Sequence, residues 1–173
     1  MPGSSSLPWF VFSLTLAPEL VRERLQGASV PELPTGELAE ALDVGLVYDV
    51  PSADWGGRVA RLVEAPGQRV MGLLRTVPSP AWGPVARLEA LLGGATGERP
   101  VRVRTASGAV RAARAFSPAE PRNPPPGPVS VAFLVALAQA AEHAGLPSHY
   151  VERLQAEAHL VRTVQRAQAD RVR

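Results

Sequence analysis

Cysteine is absent from the 173 residues, which excludes disulfides, thiolate metal ligands and a cysteine nucleophile. Lysine and isoleucine are absent as well, all 18 basic residues are arginine, and Asn123 is the single asparagine. That usage is the one expected of a very GC-rich genome; it points to a bacterial source and says nothing about function. Arginine without lysine also accounts for the pI of about 9.9, because the formal net charge is only +2. A general nucleic-acid binder is usually more basic, so nucleic acid is not an expected partner. Long apolar runs are missing too. The stretch 7–16 is short and has no basic region ahead of it, and 129–141 is too short and too alanine-rich to span a bilayer. The expectation is a soluble cytoplasmic protein with no membrane association.

What is present is enough for one core: 46% of the residues are apolar, and the length favours a single domain with tails. The aromatic and β-branched run 9–12 reads as a buried strand, and 17–25 as a helix with Pro18 in its first turn. Residues 27–36 look like a loop, followed by a short strand at 46–48 that ends at Asp49 and Pro51. Segments 59–64 and 69–75 flank Ala65-Pro66-Gly67-Gln68, where Pro and Gly occupy the central positions of a type II turn; a hairpin is expected there. Residues 84–92 place Val85, Leu88 and Leu92 on one helical face, with Gly93 as the stop. Val101, Val103 and Thr105 alternate with Arg102 and Arg104 in a strand with one wet face, and Ser107-Gly108 turns the chain into a second strand at 110–116.

The segment 117–128 holds six prolines and no periodicity, so an irregular surface crossing is expected. Ser130 then caps a helix with an apolar stripe at Val131, Leu134, Val135, Ala138 and Ala141, closed by Gly145-Leu146-Pro147. A last helix from Ser148 presents Val151, Leu154, Ala158 and Val161, turns arginine-rich and is expected to fray. Strands dominate the first two-thirds and helices the end. The fold class is therefore α+β, with a mixed or antiparallel, barrel-like sheet and flanking helices. The expected organisation is a flexible N-terminus over 1–8, a domain over 9–160 and an arginine-rich helix end or tail over 161–173.

Three stretches together resemble the gamma-glutamylcyclotransferase-like family. Phe10-Val11-Phe12-Ser13-Leu14-Thr15-Leu16, with the helical stretch after it, falls where that family has a strand, a Tyr-Gly-Ser-Asn-Leu loop and a helix. Trp55-Gly56-Gly57-Arg58-Val59-Ala60, the Pro66-Gly67 turn and Val70-Met71-Gly72 resemble its Gly-Gly-x-Ala strand, turn and Val-x-Gly strand. Gly145-Leu146-Pro147-Ser148-His149-Tyr150-Val151-Glu152-Arg153-Leu154 is similar to its Gly-Leu-Pro-x-x-Tyr-x-x-x-Leu. The resemblance runs from about Trp9 to Leu154 and implies a small barrel-like α+β fold that cleaves gamma-glutamyl amides and releases 5-oxoproline, with no cofactor.

The residues implied for that chemistry are altered. The family's loop offers backbone N–H groups to the substrate and needs small residues for close approach; here it reads Phe12, Ser13, Leu14, Thr15 and Leu16. The family's general acid/base is a glutamate just before a glycine, and counting back from Gly93 places Leu92 there. A leucine moves no proton, and loss of a general base typically removes ~10² to 10⁴ of rate. Two nearby carboxylates are rescue candidates: Glu89, one turn earlier at the family's aspartate position, and Glu98, in the loop that follows. Solvated surface carboxylates are the expectation for both. His143, His149 and His159 lack the i, i+4 spacing of a helical metal pair, so no metal is expected.

Two functions follow. The first is a protein that has lost cyclotransferase activity and serves in binding, scaffolding or regulation, its partner another protein met by Trp55, Trp82, Arg102, Arg104, Arg111 and Arg114. The second is an active cyclotransferase on a gamma-glutamyl ligand, using a relocated carboxylate. A pocket filled by Leu14 and Leu92 favours the first; an open polar pocket with one desolvated glutamate favours the second.

Overall fold

The computed structural model describes residues 5–124 and 126–172. Five strands form a closed barrel: β1 (Ser6–Val11), β2 (Glu37–Ser52), β3 (Gly57–Pro78), β4 (Gly97–Thr105) and β5 (Val110–Ser117), in the spatial order β1-β3-β2-β4-β5. Every neighbouring pair is antiparallel except the closing contact, where Trp9 on β1 meets Arg114 on β5 in parallel. Helix α1 (Trp82–Gly93) joins β3 to β4, and α2 (Val131–His143) and α3 (Ser148–Arg171) follow the barrel. The α+β class and the barrel-like sheet with flanking helices are as expected from the sequence.

Alternation along β1 sorts the core into two parts. Phe10, and Phe12 just beyond the strand, join Val70, Leu74, Val101, Val103 and Ala115 in a cluster built otherwise from strand residues. Trp9 and Val11 point the other way, into a larger cluster with Leu14, Val85, Leu92, Phe133 and Leu137 that packs the helices onto the sheet. Both faces of this strand are buried, so it reads in sequence as a continuous apolar run.

Several elements differ from the sequence expectation. The strand at 46–48 is the middle of a 16-residue strand, and Pro66-Gly67 does not end a strand. Leu42 pairs with Arg69 and Val44 with Glu64, so residues 65–68 bulge out of β3 opposite Asp43 alone. Asp43 (φ 57°) and Gly67 (φ 78°) both take the left-handed conformation. The Asp43 carboxylate accepts the Gly67 N–H at 2.9 Å and an Arg102 N–H at 2.9 Å, and these two bonds, the backbone one first, lower its pKa. Turn chemistry is present, and it serves to bend one long strand rather than to join two. The true β2–β3 connection is the turn 53–56, where the Gly56 N–H donates to the Ala53 carbonyl.

The helix expected at 17–25 is a 3-10 segment, Pro18–Leu25, kinked at Val21 and preceded by a 3-10 turn at Leu14–Leu16. Its buried residues are Pro18, Val21 and Leu25, with the kink at the middle one. The barrel begins at Ser6, paired with Pro78, so residues 6–8 are strand and not a flexible terminus; residues 1–4 lie outside the described residues. The last helix runs on to Arg171, past the end of its buried face at Ala158. Ala, Gln and Arg are strong helix formers, and the Gln165 amide donates to the Val129 carbonyl at 3.0 Å. In the proline-rich crossing, where Pro125 lies outside the described residues, the chain stays irregular until Val129 bridges Arg58 in parallel. Ser130 caps α2 as expected: its Oγ accepts the Phe133 N–H and donates to the Trp55 carbonyl.

Close approach of β1 and β3 depends on Gly72. A Cβ there would lie 2.1 Å from the Val11 carbonyl oxygen and 2.9 Å from the Phe10 ring. Gly72→Ala is expected to cost about 2–4 kcal/mol in chemical denaturation; a loss below about 0.5 kcal/mol, typical of a neutral surface change, contradicts this packing.

Candidate functional site

Strand β1 leads directly into the loop 12–16, and the i, i+3 spacing of Glu89 and Leu92 on α1 turns both inward. Ser13 Oγ lies 3.5 Å from where a Gly93 Cβ would stand, so the loop and the end of α1 meet as the resemblance implies. All five loop residues are buried: Thr15 and Leu14 are each 1% exposed.

Glu89 is 3% exposed. The expectation of a solvated carboxylate is overturned. Its Oε1 accepts the Trp9 indole N–H at 3.2 Å and the Thr15 hydroxyl at 2.8 Å. Burial pushes its carboxyl up to about 7, against which the Thr15 and Trp9 hydrogen bonds pull only partly. The signal was available: Glu89 stands at the i+4 position after Val85 on the same stripe as Leu92, so the helical period alone puts it inside.

Leu92 is 1% exposed and packs in the same cluster as Leu14, Trp55 and Phe133. Its carbonyl accepts the Trp55 indole N–H at 3.2 Å. The Trp55 ring meets Phe133 edge-on at 5.5 Å, and the Arg24 guanidinium covers it at 3.5 Å while bonding the Asp54 carbonyl. Five concavities among the described residues are lined by residues other than Leu14, Thr15, Glu89 and Leu92. The region holds a desolvated carboxyl beside a buried apolar cluster that includes Leu14, Trp55 and Leu92.

The remaining sequence candidates are scattered. Glu98 is on β4, where its two oxygens accept Trp82 Nε1 at 2.7 Å and Arg114 at 3.0 Å. It does not join the loop. Trp55 is core, whereas Trp82 is half-buried against Phe116. Arg102 pairs with Asp43 and Arg104 with Glu40, and Arg111 is exposed. Four residues outside the expected set come together elsewhere: Tyr48, Tyr150, Arg153 and Glu157 line a concavity of about 630 Å³ between the β2–β3 ribbon and α3. Helical spacing puts Tyr150, Arg153 and Glu157 on one face of α3, but nothing local joins them to Tyr48, about a hundred residues away.

The Glu89 carboxyl makes stability pH-dependent. Its folded pKa, about 7, exceeds the ordinary value of 4.5, so its contribution is complete below about pH 4.5 and is lost as pH rises through about 7, on the order of 3 kcal/mol in all. Glu89→Gln keeps an acceptor for Trp9 and Thr15 and removes the titration. Denaturation of the two proteins across that window is expected to show wild type losing stability relative to the variant as pH rises; parallel profiles contradict the assignment.

No family model and no curated protein matches the sequence. Solved structures do match. A gamma-glutamyl cyclotransferase superposes with a TM-score of 0.69 at 22% identity, covering 88% of each chain. An uncharacterized protein from Homo sapiens gives 0.69 at 22% identity over 87% of each chain. A gamma-glutamyl cyclotransferase specific to glutathione from yeast gives 0.57 at 13% identity, over 91% of this chain and 97% of that one. Barrel order, the loop against the end of α1, and these superpositions agree: the chain has the gamma-glutamyl cyclotransferase fold.

Proposed function

We propose that this chain has lost cyclotransferase activity and works as a binding, scaffold or regulatory protein on the gamma-glutamyl cyclotransferase fold, with another protein as its partner. The observation that carries this reading is Leu92. It occupies the position that the sequence resemblance assigns to the proton-transferring glutamate, and it is 1% exposed in an apolar cluster with Leu14 and Trp55. Cyclisation of a gamma-glutamyl amide needs a base to take a proton from the α-amine as it attacks the γ-carbonyl, and an acid to protonate the departing amine. A leucine does neither.

A second reading has one observation in its favour. Glu89 has a pKa near 7, the range suited to general acid/base work at neutral pH, and it is bonded to Thr15 of the loop. Against it stands burial, since Glu89 is 3% exposed and lies beside the apolar cluster of Leu14 and Leu92.

The test is 5-oxoproline release from glutathione, gamma-glutamyl-lysine and a panel of gamma-glutamyl dipeptides. Wild type is expected to release nothing above the uncatalysed rate. Leu92→Glu is expected to gain no activity and to lose several kcal/mol of stability, because it buries a carboxyl among apolar groups without a partner. Turnover by wild type that Glu89→Gln abolishes establishes the second reading and overturns the first.

A further inference from the structure

The concavity between the β2–β3 ribbon and α3 lies apart from the 12–16 loop and is lined by different residues. Two of these, Arg153 and Glu157, are four apart on α3, where opposite charges ordinarily pair. Here they do not. Among the described residues no carboxylate lies within ion-pair distance of Arg153, whose guanidinium instead sits 5.0 Å over the Tyr150 ring. Glu157 Oε2 is held by the Tyr48 hydroxyl at 2.9 Å. Two tyrosines thus keep a cation and an anion on one wall without letting them neutralise each other. The other charged pair in this concavity, Glu40 and Arg69, is self-contained, and Glu40 also binds Arg104 from outside it.

The floor adds an unsatisfied polar atom and an apolar surface. The Tyr150 hydroxyl is buried with no hydrogen-bond partner; its polar neighbours, the Met71 backbone and the Arg153 guanidinium, fall short of bonding geometry. Met71 and Leu154 line the concavity beside it. Its volume of about 630 Å³ lies within the range of small-molecule sites, ~300–1,000 Å³.

We propose that this concavity binds a small zwitterion of the α-amino-acid class with an apolar side chain. Its carboxylate would lie on Arg153, its ammonium on Glu157, and its side chain over Met71 and Leu154. The inference does not depend on whether the loop region is catalytically silent, since no residue is shared between the two places.

Calorimetric titration of the full chain with L-leucine tests it, beside N-acetyl-L-leucine, which lacks the ammonium, and L-leucinamide, which lacks the carboxylate. Arg153 is exposed and Glu157 half-exposed, so Arg153→Met and Glu157→Gln are expected to fold, and thermal unfolding of each checks this. L-leucine is expected to bind saturably and both analogues at least about tenfold more weakly, the effect of one lost charge-assisted hydrogen bond. Arg153→Met is expected to lose about tenfold for L-leucine. Glu157→Gln is expected to lose as much for L-leucine and to leave N-acetyl-L-leucine unchanged. Absence of saturable binding in the millimolar range, or L-leucine binding that both folded variants leave unaltered, overturns the proposal.

Discussion

A carboxyl group buried at Glu89 ties the molecule together at the seam between barrel and helices. Trp9 reaches it from β1, Thr15 from the loop that follows, and α1 supplies the residue itself. A buried acceptor left without donors costs about 1–3 kcal/mol, so the three segments are fixed relative to one another by a polar constraint inside an otherwise apolar cluster. The low-dielectric surroundings that strengthen the two bonds also raise the carboxyl's pKa, and the group is divided between charged and neutral forms at neutral pH.

The surroundings decide what that carboxyl can do. A general acid needs the right pKa and also an atom to serve within hydrogen-bond reach. Glu89 meets the first condition. Leu14, Leu92 and Trp55 are buried together in one apolar cluster at this end of α1, and the Leu92 carbonyl accepts the Trp55 indole N–H. The two donors to this carboxyl tie β1 and the loop to α1, and its raised pKa follows from burial. Perturbed carboxyls are often functional, but structural networks produce them as well.

Much of the fold was legible in the sequence because local signals and tertiary packing agree there. Ser130 caps α2 as its position before the apolar stripe implies, and the alternation of Val101 and Val103 with Arg102 and Arg104 separates barrel interior from solvent. The same signals misled where one local motif fits two global roles. Pro66-Gly67 has turn chemistry in a hairpin and in a bulge alike, and only pairing across to Asp43 distinguishes them. At the site, the inward place of Leu92 was readable from the helical stripe that ends at Gly93, whereas the burial of Glu89 required weighing helical period above the general preference of carboxylates for water. Tyr48 and Glu157 meet across 109 residues, a separation that no local pattern encodes.

Whether Glu89 is sealed from ligands is the point on which the account turns, and carbon-13 NMR of the Glu89 side-chain carboxyl reads it directly. Its titration should have a midpoint near pH 7 and be unchanged by a saturating gamma-glutamyl dipeptide. A midpoint in the ordinary carboxylate range, or one that the dipeptide displaces, would show that water or ligand reaches the group and would contradict a closed site.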